Sequence, residues 1–139
     1  MSTLNNSSLV SDVMIPLELV PHVNREEILK VALEKMGLNQ LGIVCIVDDN
    51  KILLGILTDG DIRRKILRVQ KPFSAFFIDD ALDHAILSPV TIKPQDTLVY
   101  AVNVMGNKYI WDLPVVNHEG ELVGLLHLHP AIKSLIELV

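Results

Sequence analysis

Apolar positions along the chain recur in two rhythms, and their alternation sets the expected elements. Ile28, Leu29, Ala32, Leu33 and Met36 return every three or four residues, with Glu26, Lys30 and Glu34 on the other face. That spacing predicts an amphipathic helix. Asn24 with Glu27 three residues on reads as a capping box at its start, and Gly37 as its end. Ile43–Val47 is an unbroken apolar run, as expected of a strand covered on both faces. Asp48-Asp49-Asn50 supplies a hairpin turn, residues 52–57 the returning strand, and residues 61–69 a short helix. Ahead of these, residues 1–8 are small and polar, the composition of a frayed terminus. Residues 10–14 form the first apolar cluster, and residues 20–23 a short extended piece.

A shift of 69 residues lays this pattern on itself. Leu29, Ala32, Met36, Gly37, Val47, Leu53, Gly55 and Leu57 fall on Leu98, Ala101, Met105, Gly106, Val116, Leu122, Gly124 and Leu126. No gap is needed from Val23/Ile92 to Asp61/Pro130, and Asn117-His118-Glu119-Gly120 takes the place of the first turn. The chain therefore reads as a duplicated β-α-β-β-α unit whose sheet needs a partner to be buried. Two copies would pack about a pseudo-twofold axis. The expected boundaries are residues 9–69 for the first repeat, 70–78 for a linker and 79–137 for the second repeat. The joining segment carries Pro72 and all three phenylalanines, Phe73, Phe76 and Phe77, expected to pack over the pair rather than to meet another chain. The apolar run to Leu138 and Val139 is expected to close a terminal helix.

Composition narrows the classes. At 139 residues the chain suits one domain or two small ones sharing a core. Half of it is hydrophobic, yet no apolar run approaches the roughly 20 residues of a membrane span. No secretory signal is readable at the N-terminus. A net charge of −5 argues against nucleic acid held by bulk electrostatics. The single cysteine, Cys45, lies in an apolar strand and reads as a small buried hydrophobe, which suits a reducing cytoplasm.

The candidate chemistry sits where the first repeat turns from strand to helix, Gly55-Ile-Leu-Thr58-Asp-Gly-Asp61-Ile-Arg63-Arg64. Helix starts leave backbone N–H groups unpaired and suit anions. A hydroxyl at Thr58 and a carboxylate at Asp61 would suit a phosphate and a ribose diol. The competing reading is a local helix cap with no ligand. The duplication acts as an internal control, because the second copy starts its helix from His127 and Pro130 in the same places. A cap alone does not demand the first copy's aspartates, which favours a ligand there. Arg64, Arg68 and Lys71 form one helical stripe, more often a solvated face than a phosphate contact. His127 and His129, two apart at a strand end, would share a face. A metal is set aside for want of a third ligand; phosphate contact or structural hydrogen bonds remain. His84 and His118 sit in linker and turn contexts that carry no argument. No nucleophile–base constellation or phosphate-binding glycine loop is present, so the chain reads as non-catalytic.

Two Gly-h-h-Thr-x-x-Asp-type runs (h, apolar) after hairpins resemble a tandem pair of cystathionine-β-synthase (CBS) domains. The openings fit as well: Val10-Ser-Asp-Val-Met14 in the first copy, Ile92-Lys-Pro-Gln-Asp-Thr-Leu98 and Leu113-Pro-Val-Val116 in the second. The likeness spans residues 9–137. It is closer to the C-terminal pair of the arabinose-5-phosphate isomerases of the Kdo pathway, through Val20-Pro-His-Val23, Thr58-Asp-Gly-Asp-Ile-Arg-Arg64 and Gly124-Leu-Leu-His-Leu-His129. Some sugar-1-phosphate nucleotidyltransferases carry a similar pair. The resemblance implies an α/β (α+β) Bateman-type module that senses AMP, ADP, ATP or a nucleotide-sugar such as CMP-Kdo in clefts between the repeats, with no required cofactor. By motif, Asp61 would bind ribose hydroxyls, Thr58 the first phosphate, and Met14, Pro16 and His22 the base. Gly55, Arg63 and Arg64 belong to the same run. Trp111, which with Asp112 stands where some relatives carry a basic residue, would stack on a base or, more in keeping with a lone tryptophan, fill an inter-repeat gap. His127 and His129 stand in the second copy, whose cleft would be either empty or adapted to another ligand, leaving the first as the competent site. The resemblance further implies homodimers, tetramers in a full-length parent, and a preceding sugar-isomerase (SIS) catalytic domain. The chain would then be an excised regulatory portion with Met1 supplied by cloning. A ligand-free oligomerisation module is the competing class.

Overall fold

The structure, a computed structural model, describes residues 2–4, 7–38 and 40–138, with side chains described for 7–37 and 40–136. In chain order the first elements are β1 (Ser2–Leu4), α1 (Val10–Val13), β2 (Ile15–Pro16), β3 (His22–Asn24), α2 (Leu29–Leu38), β4 (Ile43–Val47) and β5 (Leu53–Thr58). Then come α3 (Asp59–Val69), α4 (Phe73–Phe77), β6 (Ile86–Leu87), α5 (Leu98–Lys108), β7 (Asp112–Val116), β8 (Leu122–His127), α6 (Leu128–Leu135) and β9 (Ile136–Leu138). They form two compact α/β units. Leu19–Pro89 makes one, and Met1–Glu18 with Val90–Val139 the other.

In the Leu19–Pro89 unit the sheet order is β3-β4-β5-β6, with β3 parallel to β4 and the other pairs antiparallel. All five residues of β4 are buried, as the unbroken apolar run predicts. The hairpin turns because Asp48 Oδ1 accepts from the N–H groups of Asn50 and Ile52, both at 2.9 Å, while Lys51 takes a left-handed φ of 67°. The other unit repeats the device. Asn117 Oδ1 accepts from Glu119 at 3.1 Å and Glu121 at 2.9 Å, and Gly120 supplies the positive φ.

The 69-residue shift also reproduces the strand register. Ile43 pairs with Thr58 and Ile46 with Gly55; Asp112 pairs with His127 and Val115 with Gly124. Both hairpins carry an irregularity at the same place, Ile46/Val47 and Val115/Val116. Val23 pairs in parallel with Ile46, and Ile92 bridges Val115 in the same sense.

The segments that open each repeat follow a different rule. β2 pairs with β8, so residues just ahead of the first repeat's sheet complete the unit built from Val90–Val139. β6 pairs with β5 and completes the Leu19–Pro89 unit. The two docked segments correspond at an offset of 71 residues: the Leu9–Thr97 bridge matches Ile28–Asp80, and the Val10 N–H on the Asp96 carbonyl matches Ala81 on Glu27, each at 2.9 Å. Each sequence repeat thus lends its opening segment to the other's folded unit. Glycine makes the docking possible. A Cβ on Gly124 would sit 2.7 Å from the Ile15 carbonyl oxygen, and one on Gly55 2.9 Å from that of Ile86.

The docking also corrects the start of α2. Asn24 ends β3, its Oδ1 accepting from Glu26 N–H at 3.2 Å and its Nδ2 donating to Asp49 at 2.7 Å. The Leu29 N–H finds the Asp79 carbonyl at 2.8 Å, so the incoming segment replaces the expected capping box. Gly37 lies inside α2, one residue short of its end. At the chain ends, β1 and β9 pair antiparallel, Thr3 opposite Glu137. This corrects both the frayed terminus and the helix expected to run through the last apolar residues, since α6 stops at Leu135. Each short strand satisfies the other's backbone groups. Residues 1, 5, 6, 39 and 139 lie outside the described residues.

Of the three linker phenylalanines, Phe76 enters the core of the Leu19–Pro89 unit beside Leu29, Ala32, Leu57 and Ala81. Phe73 is 60% exposed and stacks on Phe77 with ring centroids 6.4 Å apart. No helix among the described residues is long and apolar enough to cross a membrane.

Candidate functional site at the β5–α3 turn

β5 ends on Thr58, whose extended backbone makes it the N-cap of α3. Its Oγ1 accepts from the Asp61 N–H at 3.2 Å and donates to Asp61 Oδ2 at 2.6 Å. The other carboxylate oxygen, Asp61 Oδ1, accepts from Arg64 Nη2 at 2.6 Å. Partial burial pushes the Asp61 carboxyl up, but the Thr58 hydroxyl and then the Arg64 guanidinium outweigh it and hold the group below its ordinary 3.8. Asp59 turns the other way: its N–H donates to the Gly42 carbonyl at 3.0 Å, and its Oδ1 accepts from Gly60 N–H at 2.8 Å. The result is a hydroxyl, a carboxylate and a guanidinium joined on the first turn of one helix. Such a group can offer acceptors to hydroxyls and donors to an anion.

The structure therefore brings Thr58, Asp61 and Arg64 together. Arg63 lies exposed on the same helix, and Gly55 is buried under β6, where close packing accounts for the glycine. His22 sits half-buried in β3, its Nδ1 donating to the Val20 carbonyl at 2.8 Å. Met14 and Pro16 belong to the other unit. Met14 packs against that unit's core, and Pro16 is exposed opposite Gly124 in β2.

At the same fold position in the other unit, His127 is the N-cap residue of α6 but makes no side-chain cap. Its Nδ1 donates instead to Asp112 Oδ1 at 2.8 Å, across the β7–β8 pair. His129 does not share a strand face with it. β8 ends at His127, and His129 lies exposed on the first turn of α6. Trp111 is 70% exposed. Its carbonyl accepts from Leu128 N–H at 2.8 Å, the counterpart of Gly42 and Asp59. Among the described residues no three His, Cys, Asp or Glu side chains group as metal ligands.

Two features escaped the sequence reading. The first is how closely Arg64 folds back over Gly60: a Cβ there would lie 3.4 Å from Nη1 and 3.5 Å from Nη2, ordinary contact distances. The second is His84, whose side chain is only 8% exposed. Asp79 Oδ2 accepts from both Lys71 Nζ and His84 Nε2, each at 2.7 Å, and the His84 ring lies 5.1 Å from that of Phe76. The bonds from Lys71 and then from His84 hold the Asp79 carboxyl below its ordinary value. The 71-residue offset supplies the signal, because it aligns His84 with Val13, a residue packed against the other unit's core.

Comparison with known proteins extends this geometry. The CBS domain pattern matches residues 10–68 and 83–129. The chain is similar to arabinose 5-phosphate isomerase KdsD of Escherichia coli (strain K12), with 30% identity over 127 residues. That alignment covers 90% of this chain but 37% of the relative, so the chain spans little more than a third of that protein's length. Its fold is like that of CBSX2 from Arabidopsis thaliana, solved in complex with AMP: TM-score 0.80 at 24% identity, covering 92% of this chain and 96% of that one. It is also like that of the CBS domain protein PAE2072 from Pyrobaculum aerophilum complexed with AMP, with TM-score 0.73, 21% identity and 88% of each chain covered. With two matched copies and two units built to one plan, the chain belongs to the CBS domain family, as a tandem pair.

Proposed function

We propose that the chain is a regulatory, non-catalytic sensor that binds an adenine nucleotide or a nucleotide-sugar at the β5–α3 turn of the Leu19–Pro89 unit. The observation that carries this is the contrast between Thr58, Asp61 and Arg64 in one unit and His127, Pro130 and Lys133 at the same fold positions in the other. A carboxylate held at a helix start offers one oxygen to each hydroxyl of a ribose diol. Thr58 and the first turn of α3 suit a phosphate, and Arg63 and Arg64 offset the charge of Asp59 and Asp61. Similar proteins solved with AMP make adenine nucleotides the first ligands to try. Similarity to KdsD suggests that the regulated enzyme is a sugar-phosphate isomerase, with CMP-Kdo as a candidate effector.

Calorimetric titration with AMP, ADP, ATP and CMP-Kdo tests the site. One of these is expected to bind, and Asp61→Ala to weaken it at least tenfold, since a hydrogen bond to a charged group contributes about 1.5–3 kcal/mol. Affinity unchanged in Asp61→Ala would remove the assignment. A second reading, a ligand-free assembly module, is favoured by the exposure of Leu67, Val69, Phe73 and Ile78 along one stretch of chain. It predicts a silent ligand screen together with a concentration-independent dimer in sedimentation.

A further inference from the structure

The Arg64 guanidinium deserves a role of its own. Side chains on a helix lean toward its N-terminus, and Arg64 follows that lean back over Gly60 to reach Asp61 Oδ1 at 2.6 Å. There the cation sits at the end of α3 whose dipole favours negative charge. The ion pair alone does not explain the position, because the other unit keeps a cation there, Lys133, while Pro130 replaces the carboxylate. The side chain is 62% exposed, so it is not locked in place by packing.

We infer that Arg64 makes the site selective for phosphorylated nucleosides; this rests on the nucleotide reading of Thr58 and Asp61. In the structure Arg64 occupies one oxygen of the carboxylate that would receive the ribose. An arriving diol competes with it for Asp61 Oδ1. A nucleotide compensates by giving the released guanidinium a phosphate, which it can grip with two parallel N–H groups. A nucleoside brings no phosphate, so it displaces the guanidinium without replacing the lost ion pair. Arg64 is thus both a competitor for the ribose subsite and a donor to the phosphate.

The test compares AMP with adenosine on the whole chain. Wild type, Arg64→Ala, Arg64→Lys and Lys133→Ala are titrated with each, with ligand-observed NMR for the weaker complexes and melting curves to check folding. Arg64→Ala is expected to weaken AMP about ten- to hundredfold, the range of one or two lost charged hydrogen bonds, while adenosine affinity stays level or rises. Arg64→Lys recovers part of the AMP affinity, and Lys133→Ala leaves both ligands unchanged. If Arg64→Ala weakens both ligands equally, Arg64 only positions Asp61 and the selectivity role is wrong. The role fails equally if neither affinity moves, although the nucleotide site stands in both cases. A wild-type protein that binds neither AMP nor adenosine removes the selectivity role, and one that also binds none of ADP, ATP and CMP-Kdo removes the site with it.

Discussion

Replacing Gly124 by alanine strikes the point where the opening segment of one repeat docks on the hairpin of the other. An added Cβ would lie 2.7 Å from the Ile15 carbonyl oxygen and 2.7 Å from Met14 Sδ. The methionine tip can swing away, but the carbonyl belongs to the β2 backbone. Ordinary carbon contacts begin near 3.5 Å, so β2 must retreat by several tenths of an ångström, away from its pairs Ile15–Leu125 and Pro16–Gly124. Overpacking of this kind costs about 1–3 kcal/mol, against a gain of roughly 0.4–1 kcal/mol from stiffening the unfolded chain. The net expectation is a loss of about 1–2 kcal/mol. With a slope of roughly 1–3 kcal/mol per molar urea, the midpoint should fall by about 0.3–2 M, read by circular dichroism. Gly106→Ala is the matched control. It lies in α5 with nothing within 4 Å of the new Cβ, so it should stabilise by up to about 1 kcal/mol through helix propensity. Gly55→Ala should follow Gly124→Ala, because the Ile86 carbonyl is 2.9 Å away. If Gly124→Ala melts with or above the wild type, the docking argument is wrong.

Phe76→Ala should cost about 3–5 kcal/mol as a cavity in a packed core, while the exposed Phe73→Ala should stay within about 0.5 kcal/mol; urea unfolding separates the two. Thr58→Ala removes the α3 cap and should cost about 1 kcal/mol, with Thr58→Ser restoring most of it. Asp61 titrates below 3.8 in the folded chain, so its contribution is complete well above 3.8 and is lost as pH falls through the folded value. The melting-temperature gap between wild type and Asp61→Asn should therefore be constant near neutrality and close in acid. A gap that widens in acid would contradict the Thr58 and Arg64 contacts.

Much of the fold can be read from local pattern. The unbroken β4 run, the Asp48 turn and the 69-residue repeat carry through to the strand register because side-chain periodicity and turn chemistry act over a few residues. The exchange of opening segments is invisible to that repeat, since it obeys an offset of 71 and depends on which sheet edge a short strand reaches. The same tertiary choice moves the start of α2 from an Asn24 cap to the Asp79 carbonyl. It also covers most of the His84 side chain, on which the linker context carried no argument. In the candidate site, Thr58 and Asp61 follow from motif chemistry, whereas the Arg64 contact needs the helix built. The His127–Asp112 pair needs the β7–β8 register, which places residues 15 apart directly opposite one another.

The central claim, one nucleotide site in one of two like-built units, is tested most directly by amide chemical shifts during an AMP titration. Saturable shifts should fall on residues 58–64 and be absent from 127–133, the same fold positions in the other unit. Shifts confined to 127–133, or none at 58–64 with AMP, ADP, ATP or CMP-Kdo, would contradict the account.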